Sequence, residues 1–198
     1  MKRLQTLGIT VLAALTLTGL AASAASAHSF EYNLTSGTWV GTPEGNQVFK
    51  TPAATVTCTK DSLGGSFAEI HPYKVTLKAE YSSCTAPPNA TVTIAPVEYE
   101  FVAEHETTAA EVKILKASTL TVTQSGLKCV ITIAVQGLKT IEYLNNMFVP
   151  QVFFNAKLTK LTSSATGPLC LKTYTNNSEG TFTGNNLVKV PGGEMVYH

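Results

Sequence analysis

Val75, Leu77, Ala79 and Tyr81 alternate with Thr76, Lys78 and Glu80, and almost every other segment of the chain reads at the same period of two. Successive side chains on an extended backbone point to opposite sides, so this period marks a strand with one buried and one wet face. Val97, Tyr99 and Phe101 alternate with Glu98 and Glu100 in the same way. Further strands are predicted over 46–50, 54–59, 66–70, 90–94, 118–123, 129–135, 138–144, 151–161 and 180–183, with a last one near 187–190. Residues 28–198 hold 25 threonines, a β-branched residue that suits a pleated surface better than a helix.

Turn chemistry is spread between these segments. It falls at Gly64-Gly65, Pro87-Pro88-Asn89, Gly126, Asn145-Asn146, Gly167-Pro168, Asn176-Asn177, Gly184-Asn185-Asn186 and Gly192-Gly193. One stretch, 106–116, reads equally as a helix capped by Thr107 or as a strand through Val112 and Ile114. Many short strands with regular turns predict an all-β sandwich or barrel of about ten to twelve strands, with little or no helix.

The first 27 residues stand apart from this pattern. Lys2 and Arg3 precede an apolar run from Leu4 to Ala22, and Ala25-Ser26-Ala27 offers the small residues of a cleavage site. This is the layout of a signal peptide, and its threonines argue against a permanent membrane span. The expected organisation is a signal peptide over 1–27 and a single β domain over 28–198, in an extracytoplasmic location, secreted or at the cell surface.

Without the leader the chain keeps 12 lysines, no arginine, 12 glutamates and one aspartate, a net charge of 12 − 13 = −1. Nucleic-acid binding depends on clustered basic side chains against phosphate, and this composition excludes it. Cys58, Cys84, Cys129 and Cys170 are too far apart in sequence for a CxxC metal motif. An even number in an exported chain indicates disulfides, with three connectivities open. Sequential pairing closes the shorter loops.

Candidate catalytic motifs do not assemble. Asp61-Ser62-Leu63-Gly64-Gly65 is one inserted residue away from the nucleophile motif of trypsin-like proteases. A triad needs a histidine and an orienting acid besides the serine, and Asp61, beside Ser62, is the sole aspartate of the chain. Ser62 reads as a turn residue. His105-Glu106-Thr107-Thr108-Ala109 lacks the second histidine of HExxH, because Ala109 stands in its place. Glu98, Glu100, Glu104 and Glu106 form an acidic ladder that suits a solvent-facing stripe, with cation binding as the alternative.

Two binding readings remain. Cleavage after Ala27 exposes His28, whose α-amino group and ring nitrogen can chelate copper, with His71 or His105 as further ligand; cleavage after Ala24 does not. Trp39, the sole tryptophan, with Tyr32 nearby, is the candidate stacking platform for a cell-wall or extracellular polysaccharide. Sequons at Asn33, Asn89 and Asn176 bear on a eukaryotic secretory route alone.

In "NQVFKTPAATVTCTKDSLGGSF", "VTLKAEYSSCTAP", "KCVITIAVQGLKTIEYLNN" and "GPLCLKTYTNNSEGTFTGNNLVKV" the chain resembles a large group of uncharacterised, exported β-rich proteins of soil actinobacteria. The resemblance spans most of the chain after the leader. It implies export, a β fold and the pairs Cys58–Cys84 and Cys129–Cys170. That group commonly has a small residue in place of Asp61, so the resemblance implies no catalytic role there. The resulting expectation is a non-enzymatic binding or structural protein without a cofactor, with copper at His28 as the alternative.

Overall fold

The computed structural model describes residues 28–103 and 110–198, which contain 14 strands and no helix. Twelve strands form one antiparallel sheet that closes on itself twice. Two long hairpins run the length of the molecule. One is β4 (Thr55–Phe67) with β5 (Lys74–Ala86); the other is β12 (Val152–Thr166) with β13 (Tyr174–Lys189). Fifteen residues of strand span roughly 50 Å.

Short strands bridge the hairpins at two levels. At one, β7 (Val97–Val102), β8 (Ala110–Ile114) and β11 (Gln136–Asn145) connect β5 to β12, and β2 (Gly37–Pro43) connects β13 to β4. At the other, β6 (Ala90–Ile94), β9 (Ser118–Gln124) and β10 (Leu127–Ile133) connect β5 to β12, and β3 (Gln47–Lys50) connects β13 to β4. Each level is a closed circuit of eight strands, so the fold is two short barrels stacked end to end and sharing four walls. An eight-stranded circuit is just wide enough for side chains to fill.

The shared strands change phase where the barrels meet. In β5 the buried positions are 75, 77, 79 and 81, then 84 and 86, because Ser82 and Ser83 both face out. In β12 they are 152, 154, 156 and 158, then 161, 163 and 165, with Thr159 and Lys160 both exposed. Ser83 and Lys160 have φ of 51° and 61°. Positive φ is uncommon for such residues, and an irregularity of this kind bends a strand.

One barrel is capped. β1 (Phe30–Tyr32) and β14 (Met195–Tyr197) pair as a ribbon across its open end. The ribbon is fixed by Phe30 N–H to Pro72 O (3.2 Å), Tyr32 N–H to Ile70 O (3.0 Å) and Met195 N–H to Pro150 O (3.0 Å). Asn145 clamps Tyr197 by donating to its carbonyl and accepting from its N–H, both at 2.8 Å. The other barrel is stapled. Cys58–Cys84 joins directly opposed residues of β4 and β5, and Cys129–Cys170 ties β10 to the loop after β12.

Several sequence expectations need correction. Gly64-Gly65 is not a turn: β4 runs through it, and a Cβ on Gly65 would collide with the Thr76 carbonyl. The glycine serves close approach of β5. Gly184-Asn185-Asn186 and Asn176-Asn177 also lie inside a strand, so 180–183 and 187–189 are parts of β13, which ends one residue before the predicted 190. Gly184 faces the buried amide of Gln47, where no Cβ fits. The predicted strand 66–70 ends at Phe67. From the ambiguous 106–116 stretch, Ala110–Ile114 is strand; the rest of its proposed capping turn lies outside the described residues, as does the leader. β1, β2 and β14 were not anticipated.

Candidate functional site

The suggestive Asp61-Ser62 pair resolves into two faces of one strand. Ser62 is exposed on the outside of β4, opposite Glu80, while Asp61 faces inward opposite Tyr81. Ser62 is therefore an outward strand residue and not a turn, and the two side chains cannot act together.

Asp61 is the more informative of the pair. Neither carboxylate oxygen has accessible surface or a donor in hydrogen-bonding geometry. Burial raises its pKa, an effect that neighbouring Asn186 and the backbone partly offset. Asn186, from β13, is itself buried, with its Oδ1 also unsatisfied. On the facing strands the Tyr81 and Tyr99 hydroxyls bond each other at 3.0 Å, and burial raises the pKa of both phenols. Asn186 and the two tyrosines line a cavity of about 20 Å³ whose remaining wall is apolar, including Leu63, Phe101 and Phe154. That is room for one water molecule, not for a substrate.

The predicted platform residues lie at the capped end, Tyr32 in the β1 ribbon and Trp39 in the wall strand β2. Trp39 is 2% exposed and Tyr32 4%. Trp39 packs against Phe30, Tyr32 and Phe67 at centroid separations of 6.5, 5.5 and 5.9 Å. Tyr32 also stacks on Phe67 at 4.4 Å. Both rings are packed among neighbouring side chains, and Trp39 reaches the floor of an open surface cleft of about 280 Å³. These rings close the barrel because they cover the most area per ordered side chain.

The three histidines among the described residues gather at the same end. His28 precedes β1 and stacks on Tyr197 at 5.5 Å; His71 lies between the two residues whose carbonyls hold β1; His198 follows β14 and its Nε2 is 2.8 Å from Glu31 Oε2. Among the described residues no group of three or more His, Cys, Asp or Glu side chains is arranged to hold a metal ion. His105, Glu104 and Glu106 lie outside the described residues. Of the remaining ladder, Glu100 is ion-paired, with Lys74 at 3.3 Å and Lys113 at 3.4 Å; Glu98 stands opposite Lys78 in register, while the Lys78 ammonium meets Glu80 at 2.6 Å.

Sequence reasoning missed two features. Asp61 was legible from its phase, since it shares an inward face with Leu63 and Phe67. The other feature is the β11–β12 hairpin tip, where Met147 and Phe148 are each 90% exposed. Turn positions are normally polar, so Met147-Phe148-Val149 directly after Asn145-Asn146 was the available signal. At the opposite end of the molecule, Ala53, Ala86, Pro87, Val122, Leu169 and Leu171 line an apolar pocket of about 190 Å³.

No protein-family model, no curated protein and no solved structure matches the chain.

Proposed function

We propose that the chain is an exported, non-catalytic binding or structural protein that works at the cell surface through its capped end. The observation that supports this most is the contrast between interior and rim. The capped barrel is filled by its own side chains, with space for one water, while the hairpin tip beside the cap holds two large apolar side chains fully in solvent. The two disulfides are consistent with an extracytoplasmic location, which fits the leader-like residues 1–27. The burial of Trp39 moves the reading away from sugar stacking.

The test is retention of the secreted chain by isolated envelope fractions. Retention of the wild-type protein, reduced at least about tenfold by Met147→Asp with Phe148→Asp, supports surface binding through this end. A chain that stays wholly in the supernatant sinks the reading. Copper at His28 is a second reading, favoured by the ribbon bringing His28 and His71 to one end. Mass spectrometry of the mature N-terminus followed by Cu(II) EPR tests it. A start other than His28, or no tight-binding signal, removes it.

A further inference from the structure

The two ends of the molecule are finished differently, and the far end is built as a pocket. At the capped end the β1–β14 ribbon and its rings seal the barrel; among the described residues no strand crosses the end of the stapled barrel. There the inward positions carry short side chains. Ala53, Ala86, Ala90 and Val122 are each at most 9% exposed, and they line a pocket of about 190 Å³. An apolar cavity of roughly 150 Å³ is enough to hold a benzene molecule. The mouths of β-barrels are among the places where small-molecule sites occur.

The remaining walls are fixed in place. Leu169 and Leu171 come from the loop after β12, and Cys170 between them is bonded to Cys129 of β10. Leu169 N–H donates to the Lys128 carbonyl at 3.3 Å, and Leu171 N–H donates to the Ala53 carbonyl at 3.0 Å. Pro87 and Pro88 supply a further wall with ring-restricted backbone, and Gln124 Nε2 donates to the Pro88 carbonyl. Walls tethered in this way leave little ordering cost for binding. Leu171 stands at the rim, 86% exposed, so an apolar guest gains a contact that the chain by itself leaves in water.

The lining sets the chemistry of that guest. It contains no ionisable side chain; Thr55 and Gln124 are its polar side chains, and the Gln124 amide is engaged by Pro88. A charged ligand would lose hydration there and find no partner. We infer that the open end of the stapled barrel binds an uncharged hydrocarbon group about the size of one aromatic ring. The site is independent of the surface role and lies at the opposite end of the fold from Met147 and Phe148.

Benzene is the probe, added to the chain from residue 28 onward at pH 7.5 and followed by thermal denaturation and methyl-resolved NMR. It raises the thermal midpoint by about 2–4 °C. The methyl shifts that it induces map to Val122, Leu169, Leu171 and the lining alanines. Benzoate, the same ring carrying a charge, does neither. n-Octanol separates two sources of such a group: tighter binding than benzene assigns the end of an alkyl chain, and weaker binding assigns a small aromatic molecule. Ala90→Leu fills the pocket and abolishes the benzene response. Leu171→Asp changes a side chain already in solvent, and it weakens the response with the fold intact.

Four outcomes overturn the inference. They are no response to benzene near its solubility limit, methyl shifts that fall elsewhere in the fold, benzoate binding as tightly as benzene, and a folded Ala90→Leu variant that responds like wild type. Should Ala90→Leu fail to fold, an undiminished response in Leu171→Asp overturns it instead.

Discussion

The two stacked barrels have equal strand numbers and are closed by different means. The capped barrel is packed with rings: Phe30 lies within 5.0 to 5.6 Å of Tyr143, Phe154 and Tyr197, and Phe154 also meets Phe101 at 4.9 Å. The stapled barrel is packed mainly with Val56, Val92, Leu120, Ile131, Ile133 and Leu161, with Phe49 against Phe182 at 4.6 Å and Tyr81 at 5.1 Å, and it holds both disulfides. Aromatic side chains bury about 150–250 Å² each and knit a barrel end together through mutual contact. Smaller aliphatic side chains bury less, and there the crosslinks limit what the unfolded chain can explore. Closure of a β-barrel thus has two physical solutions, and this chain uses one at each end.

The largest expected effect is removal of both staples. Cross-linking residues 26 and 41 apart constrains the unfolded chain by roughly 3.5 and 4 kcal/mol respectively. Reduction under native conditions should lower the urea midpoint strongly, and hydrogen exchange should quicken first in β9 and β10. Faster exchange in β7, β8 and β11 instead would refute the division. Next is Phe154→Ala, which opens the aromatic end and should cost about 3–5 kcal/mol. Its exchange signature should be the mirror image, with β11 and the ribbon opening while β9 and β10 stay protected. Equal loosening of both barrels would show one cooperative unit in which the distinction has no energetic meaning.

Smaller changes probe the polar cluster inside the capped barrel. Tyr99→Phe removes the partner of the Tyr81 hydroxyl and should cost about 1–2 kcal/mol by denaturant titration. Asp61→Asn changes the pH dependence. The folded pKa of Asp61 lies above its ordinary 3.8, so below 3.8 the acid is protonated in both states and carries no penalty. As pH rises towards the folded pKa the unfolded state ionises first, and the native state is progressively destabilised. The titratable groups facing Asp61 are Tyr81 and Tyr99, both neutral here, so no cation relieves it. Asp61→Asn should raise the thermal midpoint more at pH 7 than at pH 3. An equal effect at both would show that the carboxylate is not penalised by burial.

Strand identity was legible where alternation is uninterrupted. β6 was anticipated over 90–94, where it lies, and Val97, Tyr99 and Phe101 were read on the buried face that they occupy. The readings failed where local chemistry has two uses. Gly64-Gly65 and Gly184 looked like turns because glycine serves both sharp turns and close approach, and only the neighbouring strand distinguishes them. Trp39, with Tyr32 beside it, was the candidate platform although a lone tryptophan in a β domain is more often core. Their fate depended on the three-residue strands β1 and β14, too short to show a period.

By itself the amino-acid sequence determined the class of structure, because alternation of apolar and polar residues every second position commits a chain to half-buried strands. It also set the sequential spacing of four cysteines and the apolar leader. Only the tertiary structure decided that the sheet closes twice, since closure depends on which distant strands meet. It likewise decided what surrounds Asp61, since Tyr81, Tyr99 and Asn186 come to it from three other strands, β5, β7 and β13. The placement of Met147 and Phe148 beside the leader's point of entry followed from the same closure, which brought residues 28 and 148 to one end.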